Sequence, residues 1–333
     1  MRRCVSCILP ETFPGMSFDD RGVCTACSAP EERAGRAPSL DNLRLRMQEI
    51  IAESKASGSN YDALVAYSGG KDSTYLIHLM KEKYDLRILA WTFDNGFMSP
   101  RAFSNMSKLL EKMSVDHIVF RPRSDLAKLL FLRSESDIYP ESLLKVGSAI
   151  CISCIRTVTN LSLRTAIEKG IPIVMLGNSP GQIIRSESEV LYKDNRIPYE
   201  MKKKLFSRLA EAIGDDIYYY VMLSEEEYRA SPFPYTISPF SLVGYDEETI
   251  YKTITELGWK KPADVDPNST NCRLNSLGIV RHKESLGFHP YDYEMSKLVR
   301  LGQISREEAL RRVEDREGKV EALATAIRKM LDT

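Results

Sequence analysis

A seven-residue segment, Tyr67 to Ser73 (YSGGKDS), carries the residue types that bind phosphate. Its adjacent glycines, Gly69 and Gly70, let the backbone approach a ligand closely and aim N–H groups at one point. Lys71 adds a positive charge beside them. A Walker loop would need a longer spacer between its first glycine and the Gly-Lys pair. The segment therefore predicts an anion cradle of another type, in which the Lys71 side chain faces the ligand and is dispensable for folding.

Six of the seven cysteines form CxxC pairs, a spacing that suits metal binding. Two pairs lie near the N-terminus: Cys4 with Cys7, and Cys24 with Cys27. Both sulfurs of such a pair can face one ion, so together they predict a tetrahedral zinc site of the zinc-ribbon type. Four thiolates leave zinc no open position, which indicates a structural ion. The alternative is two unrelated pairs of buried thiols.

Three cysteines remain: Cys151, Cys154 and Cys272. The first two form a CxxC pair that we expect just before a helix, and the third lies far along the chain. No histidine is near them in sequence. The residues alone leave four options open, namely core thiols, a redox-active pair, a second zinc site, or a [4Fe–4S] cluster with one iron lacking a protein ligand.

The composition is that of an ordinary globular protein. The 333 residues are 43% hydrophobic and 28% charged, and 46 basic residues balance 46 acidic ones. Because the net charge is zero, the protein as a whole has no electrostatic attraction for nucleic acid or an anionic membrane. No apolar run is long enough for a membrane helix or a signal peptide, so we expect a cytoplasmic protein without a membrane partner. In that reducing compartment, cysteine pairs indicate metal rather than disulfides.

Strands and helices alternate around these residues. Short apolar runs predict buried strands at 63–67, 86–93, 117–120 and 171–176. Amphipathic segments predict intervening helices at 74–84, 104–113, 124–146 and 156–169. The alternation indicates an α/β fold with a doubly wound parallel sheet, whose ligands bind at the carboxyl ends of the strands. Phe93 and Asp94 end the second strand, and Gly177 and Asn178 follow the fourth, so we expect them beside the glycine loop.

The remaining segments define the expected domains. We predict a helix at 40–56 with Ser39 as its N-cap, a proline-rich hinge at 231–239, a helix at 246–257, and two or three helices in 290–330. The predicted domains are a zinc ribbon at 1–34, a linker helix at 35–58, a nucleotide-binding domain at 59–275, and a helical C-terminal extension at 276–333.

The SGGKDS sequence after a strand resembles the PP-loop of ATP pyrophosphatases. That resemblance implies cleavage of ATP between its α and β phosphates, adenylation of a substrate, and Mg²⁺ bridging the phosphates. It implies that Lys71 and Ser73 offset charge on the pyrophosphate, while Asp72 holds the metal or orients the loop. The nucleotide-binding residues predicted on this basis are Tyr67, Ser68, Gly69, Gly70, Lys71, Asp72, Ser73, Phe93, Asp94, Gly177 and Asn178.

The cysteine pattern resembles the tRNA 2-thiolation branch of the PP-loop enzymes. Those proteins combine an N-terminal zinc ribbon, a CxxC pair after the PP-loop and a distant third cysteine. The resemblance implies that Cys151, Cys154 and Cys272 hold a [4Fe–4S] cluster whose open iron binds hydrosulfide. The implied activity is an ATP-dependent sulfurtransferase, with Lys71, Asp72 and the three cysteines as catalytic residues.

The two ends of the chain resemble a different group, the N-acetyl sugar amidotransferases of surface-polysaccharide synthesis. The matching segments are residues 4–27 (CVSCILPETFPGMSFDDRGVCTAC) and 290–310 (PYDYEMSKLVRLGQISREEAL). Those enzymes activate an acetamido carbonyl in the same way and form an amidine with ammonia from a glutaminase. They lack the central cysteine triad, so its presence here favours sulfur.

The acceptor stays open between a small carbonyl compound and a tRNA base. The tRNA thiolases carry a Gly-His-Asn-x-Asp-Asp loop where this chain has residues 177–182, GNSPGQ, without the two acidic residues. The expected partners are that acceptor and a sulfur donor, either sulfide or a carrier protein. A glutaminase replaces the sulfur donor in the amidotransferase alternative, and a non-catalytic nucleotide-binding iron–sulfur protein is the third alternative. A homodimer is compatible with the sequence.

Overall fold

The fold is built on a six-stranded sheet. The computed structural model describes residues 1–28, 40–134, 136–183, 190–314 and 318–332, so the predicted N-cap Ser39 lies outside the described residues. The strands are β1 (Ala63–Ala66), β2 (Ile88–Phe93), β3 (Asp116–Phe120), β4 (Ile173–Met175), β5 (Leu191–Tyr192) and β6 (Tyr235–Ile237). Their order in the sheet is β3-β2-β1-β4-β6-β5.

All neighbouring strands are parallel except β5, which pairs antiparallel with β6 at the edge. Leu64 of β1 lies opposite Leu89 on one side and Val174 on the other. The order therefore reverses between β1 and β4. The doubly wound α/β fold expected from the sequence is confirmed, and its ligand crevice lies at this reversal, outside the carboxyl ends of β1 and β4.

Helices cover both faces of the sheet. In the first half of the chain they are α1 (Thr25–Ser28), α2 (Leu40–Lys55), α3 (Lys71–Tyr84), α4 (Pro100–Lys112), α5 (Ser124–Arg133), α6 (Glu141–Leu144) and α7 (Ala149–Glu168). Then come α8 (Tyr199–Leu205), α9 (Ser207–Ile213), α10 (Tyr218–Val221), α11 (Glu225–Tyr228), α12 (Phe240–Val243) and α13 (Glu247–Leu257). The C-terminal helices are α14 (Leu274–Leu286), α15 (Asp292–Arg300), α16 (Arg306–Val313) and α17 (Lys319–Asp332).

Two apolar layers enclose the sheet. On one face, α2, α3, α4 and α13 pack residues such as Met47, Leu76 and Ile254 against the strands. On the other face, α7 packs Leu161 and Leu163 against β1, β2 and β4. Strands buried on both sides read as continuous apolar runs, which is why the sequence located them.

Two predictions of local structure in this part of the fold are wrong. The expected hinge at 231–239 contains the inner strand β6, since Tyr235–Ile237 pairs with both β4 and β5. The expected helix at 124–146 ends at Arg133 and is followed by short turns of helix. The helix α14 spans the predicted domain boundary at residue 276, and the division into domains stays a prediction. None of the described helices is long and apolar enough to cross a membrane.

Candidate active site

The SGGKDS segment connects β1 to α3 at the point where the strand order reverses. This is the position that its resemblance to a PP-loop predicts. Gly69 has a φ of +69°, and a side chain there would lie 2.9 Å from the carbonyl oxygen of Ala102. Gly70 precedes the helix in extended conformation without a side-chain cap. The helix begins at Lys71, earlier than predicted, and its start brings positive partial charge to the loop.

Two hydroxyl groups close the loop on itself. The Ser68 and Ser73 hydroxyl oxygens lie 3.1 Å apart, and the Ser68 backbone N–H donates to Ser73 Oγ at 3.2 Å. The Gly70 N–H donates to Ser68 Oγ at 3.3 Å. These bonds hold the loop as a compact turn, so its remaining N–H groups keep fixed directions.

Lys71 is buried in an ionic network rather than extended toward a ligand. Its Nζ donates to Asp72 Oδ1 at 2.7 Å and to the Tyr245 hydroxyl at 2.6 Å, and it lies 3.0 Å from Glu247 Oε1. Burial opposes its charge, but Asp72, Tyr245 and Glu247 raise the pKa of Lys71 well above its ordinary value. The expectation that this side chain extends toward the ligand differs from its position here, and its removal would leave the half-buried Asp72 and Glu247 carboxylates short of a partner. That Lys71 is dispensable for folding stays a prediction.

Glu247 extends this network to the C-terminal helices. It accepts from Arg312 Nη1 of α16 at 3.2 Å as well as from Lys71. Burial would raise the pKa of Glu247, but the hydrogen bond from Arg312 and the charges of Lys71 and Arg312 lower it to about 2. The carboxylate is therefore charged at neutral pH, and it couples the glycine loop to α16.

Two distant segments anchor the loop from outside. Trp259 Nε1 donates to the Gly69 carbonyl oxygen at 3.0 Å, and the Lys71 N–H donates to Thr270 Oγ1 at 3.1 Å. A Cβ on Gly70 would lie 2.8 Å from that same Thr270 oxygen. Neither Trp259 nor Thr270 carries a recognisable motif, so the sequence did not indicate them.

The loop after β4 packs directly on the start of α3. A Cβ on Gly177 would lie 3.1 Å from the backbone nitrogen of Ser73, so glycine permits this approach. Asn178 Nδ2 donates to Ser238 Oγ at 3.1 Å, and Ser179 Oγ donates to Glu294 Oε1 of α15 at 2.7 Å. The predicted Gly177 and Asn178 thus lie at the crevice, together with Glu294 from the C-terminal extension, which the sequence did not indicate.

The other predicted nucleotide residues are engaged inside the fold. Tyr67 is 1% exposed and packs in the core beneath the loop. Phe93 stacks on Phe120, and the buried Asp94 accepts from Arg121 Nε at 2.6 Å and from the Gly96 N–H at 3.0 Å. These contacts position the carboxyl end of β2 beside the crevice, and their roles toward nucleotide stay predictions.

The structure brings Cys151, Cys154 and Cys272 together at the same edge of the sheet. Cys151 and Cys154 lie on the first turns of α7, not before a helix as predicted, and a spacing of three places both on one face. Cys272 is joined to Met98 by an antiparallel bridge beyond the end of β2. Asn95 Nδ2 donates to Cys272 Sγ at 3.4 Å and to Cys154 Sγ at 3.9 Å.

The three thiols are protonated at neutral pH without a metal. Burial raises the pKa of Cys151 to about 12, and burial together with the neighbouring cysteines raises the pKa of Cys154 further. Burial also raises the pKa of Cys272. The Cys151 thiol donates to Asn275 Oδ1 at 3.1 Å. Binding of a metal group here would displace these protons, since thiolates are the ligating form.

The four N-terminal cysteines form a compact site. The Cys4 and Cys27 sulfurs are 3.9 Å apart, the Cys7 and Cys24 sulfurs are 3.7 Å apart, and all four lie within 4.8 Å of one another. Zinc–sulfur bonds of about 2.3 Å in a tetrahedron place sulfurs about 3.8 Å apart, so the geometry fits one zinc ion. Burial alone would raise the pKa of the Cys4 thiol. Hydrogen bonds from backbone N–H groups outweigh that effect and lower the pKa of Cys4 to about 7.

This N-terminal ribbon packs on the C-terminal helices. Phe13 contacts Phe288 at 5.0 Å between ring centroids, and Arg3 pairs with the buried Asp292 at 2.6 Å. Arg306 of α16 donates to the carbonyl oxygens of Cys7 at 2.9 Å and Cys4 at 3.0 Å. The two chain ends that resemble the amidotransferases therefore form one unit.

Comparison with known proteins gives one relative of similar length. No protein-family model matches the chain. An uncharacterized protein of Methanocaldococcus jannaschii is 24% identical over 315 residues, which cover 94% of this chain and 93% of the relative.

Solved structures similar to this chain include three enzymes. The U34-tRNA thiolase NcsA of Methanococcus maripaludis, solved with its [4Fe-4S] cluster, is 12% identical with a TM-score of 0.40, covering 100% of this chain and 89% of its own. The NH3-dependent NAD synthetase of Campylobacter jejuni is 12% identical with a TM-score of 0.32, and the match covers 74% of this chain and 95% of the synthetase. The NMN synthetase of Francisella tularensis is 13% identical with a TM-score of 0.30, and the match covers 68% of this chain and 90% of that synthetase.

Proposed function

We propose that this protein is an AMP-forming, ATP-dependent sulfurtransferase that converts a carbonyl group of its acceptor to a thiocarbonyl. One observation carries the proposal. Thr270 accepts a hydrogen bond from the backbone of Lys71 in the PP-loop, and Cys272, two residues later, is a member of the cysteine triad. The glycine loop and the triad therefore meet at one short segment, and we infer that they border one crevice, which is what adenylation and sulfur transfer at a single carbon require.

The triad fits a group larger than a single ion. The N-terminal group brings four thiols within 4.8 Å of one another, as a single ion requires, whereas the triad offers three thiols. The side chains are partly buried, soft sulfur donors without a fourth thiol beside them. We infer that the ribbon holds zinc and that the triad, Cys151, Cys154 and Cys272, holds a [4Fe–4S] cluster with one iron free of protein ligands.

The PP-loop residues supply the first half of the reaction. The acceptor's carbonyl oxygen attacks the α-phosphorus of ATP, the bond to the β-phosphate breaks, and pyrophosphate leaves. The loop N–H groups, the start of α3 and the charge of Lys71 stabilise the negative charge on the departing pyrophosphate, and Asp72 would be the residue to hold a Mg²⁺ ion that offsets the same charge. Asp72 sits 2.7 Å from Lys71 Nζ and orients that charge.

The second half replaces oxygen by sulfur. Cys151, Cys154 and Cys272 would hold the cluster, which would supply sulfur at the oxidation level of hydrosulfide, and that sulfur would bond to the adenylated carbon. The carbon–oxygen bond then breaks, AMP leaves with that oxygen, and loss of the sulfur-bound proton gives C=S. Throughout, Asn95 holds two cysteines of the triad in position through its side-chain amide, and the PP-loop keeps the nucleotide in place.

A small carbonyl compound is the acceptor that the chain's residues favour. The net charge is zero, and the loop at 177–182 carries no acidic residue. Ser179 of that loop is held by Glu294, so the C-terminal helices border the crevice on the acceptor side. A polyanion such as tRNA is bound chiefly by an excess of positive charge, which this sequence lacks overall.

A second candidate is amide-to-amidine conversion by an N-acetyl sugar amidotransferase. The docking of the ribbon on the C-terminal helices favours it, because both segments resembling those enzymes lie together. It needs ammonia from a glutaminase and no cluster. The assembled triad favours sulfur, since nothing in amidine formation uses three converging thiols.

Anaerobic reconstitution tests the proposal. Protein reconstituted with iron and sulfide should contain one zinc and one cluster per chain, counted as metal and acid-labile sulfide. With ATP, sulfide and a panel of N-acetyl sugars, small amides and unmodified bulk tRNA, we expect AMP release and a product whose mass shows exchange of oxygen for sulfur. A product showing exchange of oxygen for NH, formed with ammonium and without iron, selects the amidotransferase. Cluster without AMP release for any acceptor contradicts catalysis.

A further inference from the structure

Asn95 stands out among the buried polar residues because its carboxamide faces two cysteines. The residue lies in the loop after β2 and is 5% exposed. Its Oδ1 accepts from the Phe97 backbone N–H at 2.9 Å. Since a backbone N–H can only donate, this bond assigns the oxygen to that side and directs Nδ2 at the sulfurs.

The amide nitrogen lies within hydrogen-bond distance of two sulfurs of the triad. One bond reaches Cys272 Sγ at 3.4 Å and the other Cys154 Sγ at 3.9 Å. One side chain thus spans a cysteine from α7 and a cysteine from the far end of the domain. The contact also fixes the loop of β2 to the triad, independently of the backbone bridge at Met98.

The third cysteine has the opposite environment. Cys151 faces Asn275 Oδ1 at 3.1 Å, and Asn275 Nδ2 donates to Asp266 Oδ2 at 2.9 Å. A carboxylate accepts hydrogen bonds, so the Asn275 carbonyl oxygen is the atom turned to the sulfur. The triad is therefore asymmetric: two sulfurs receive an amide N–H, and one faces a carbonyl oxygen.

We propose that Asn95 is a positioning residue of the triad, whose side-chain amide orients Cys154 and Cys272 and raises the reduction potential of the cluster they hold; this rests on the proposed function. Hydrogen bonds to ligand sulfur withdraw electron density and stabilise the more negative, reduced form of a cluster. They also hold both ligands at fixed directions, which slows loss of iron.

Two substitutions separate these contributions. Asn95→Asp keeps the shape and the Phe97 contact but replaces both donors by an acceptor. Asn95→Ala removes the whole carboxamide. The matched control is Asn105→Asp, since Asn105 is 3% exposed and makes two backbone hydrogen bonds with Lys260 but touches no cysteine.

The measurement is the midpoint potential of the reconstituted cluster, followed by electron paramagnetic resonance during reductive titration with dithionite. We expect a negative shift for Asn95→Ala, a larger one for Asn95→Asp and none for Asn105→Asp. Cluster absorbance in air should decay faster in both Asn95 variants. If one Asn95 variant does not fold, the other supplies the comparison.

The outcomes distinguish this inference from the proposed function. A wild-type cluster whose potential and air stability match those of both Asn95 variants overturns the role of Asn95 and leaves the sulfurtransferase intact. Wild-type protein that takes up zinc in the ribbon but no iron at the triad overturns both.

Discussion

The ribbon and the triad use the same CxxC pair in two different settings. In the ribbon, two pairs from one short segment face each other, with all four sulfurs within 4.8 Å. In the triad, one pair on α7 meets a single cysteine from another part of the chain, and Asn95 contacts a sulfur from each. On our proposal, the ribbon would complete the tetrahedral shell of an ion, and the triad would leave one position of a larger group without a protein ligand.

The two cysteine groups also differ in what surrounds them. The ribbon is enclosed by its own residues and by Phe288 of the C-terminal region. The triad is linked to the glycine loop through one segment, since Thr270 contacts the loop and Cys272 belongs to the triad. A closed site suits stability and a site beside a nucleotide loop suits chemistry, so cysteine spacing alone does not separate the two roles.

One helix links the two regions. Arg306 and Arg312 both lie on α16: Arg306 donates to ribbon carbonyl oxygens, and Arg312 pairs with Glu247, the partner of Lys71. The ribbon therefore stabilises the wall of the crevice through the C-terminal helices. Four variants test how far this division between structure and chemistry holds.

The largest effect is expected from Cys272→Ser. Serine oxygen is a poor ligand for this type of iron, so the triad should lose its cluster and sulfur-containing product should fall to background. Substrate-dependent AMP release should persist in part, because Lys71 and the loop N–H groups are unchanged. Metal analysis should still find the ribbon zinc, and wild-type yields of sulfur product from this variant would contradict the assignment of the triad.

Lys71→Ala should lower the rate of pyrophosphate release by about a hundredfold or more, corresponding to about 3 kcal/mol of transition-state stabilisation. It should also lower the melting temperature, because Asp72 and Glu247 lose a buried partner. Both metal centres should remain loaded. Tyr245→Phe is the control: it removes only the hydroxyl that accepts from Lys71, so stability should fall by about 1 kcal/mol with a smaller rate effect. Undiminished AMP production by Lys71→Ala would contradict the PP-loop assignment.

Cys4→Ser should act on stability more than on chemistry. Loss of the structural zinc should lower the melting temperature by about 10 °C, because metal binding contributes to folding. The remaining folded protein should still bind iron and make product at a comparable rate per cluster. Selective loss of sulfur transfer with zinc retained would show that the ribbon takes part in the reaction.

The smallest effect is expected from Glu247→Gln, and it depends on pH. The pKa of this carboxyl falls from 4.5 to about 2 on folding, so its contribution is complete above pH 4.5 and is lost as the pH falls toward 2. The glutamine variant should be less stable at neutral pH and should show a flatter decline over that interval. The loss of stability is limited because Lys71 still pairs with Asp72, and Arg312 still pairs with Glu308.

Urea unfolding at several pH values measures this contribution. If the free energy of unfolding fell in parallel for wild type and Glu247→Gln between pH 4.5 and pH 2, Glu247 would not stabilise the link between the glycine loop and α16.

The sequence by itself determined the features that depend on local chemistry. The apolar runs of β1, β2 and β4, the glycine loop between β1 and α3, and the ribbon pairs all follow from residues close together in the chain. Short runs buried on both faces and a turn that only glycine permits leave little choice of local structure. The doubly wound sheet followed from their alternation.

Only the tertiary structure decided which distant residues meet. Tyr235–Ile237 became a central strand although proline-rich sequence surrounds it, because β4 and β5 supply its hydrogen bonds. Lys71 became a buried cation because Glu247 and Tyr245 come from another element. Thr270 and Asn95 lie in loops whose sequences carry no recognisable motif, and Glu294 comes from the helix α15. Contacts of this kind depend on the packing of whole elements, which local residue pattern does not encode.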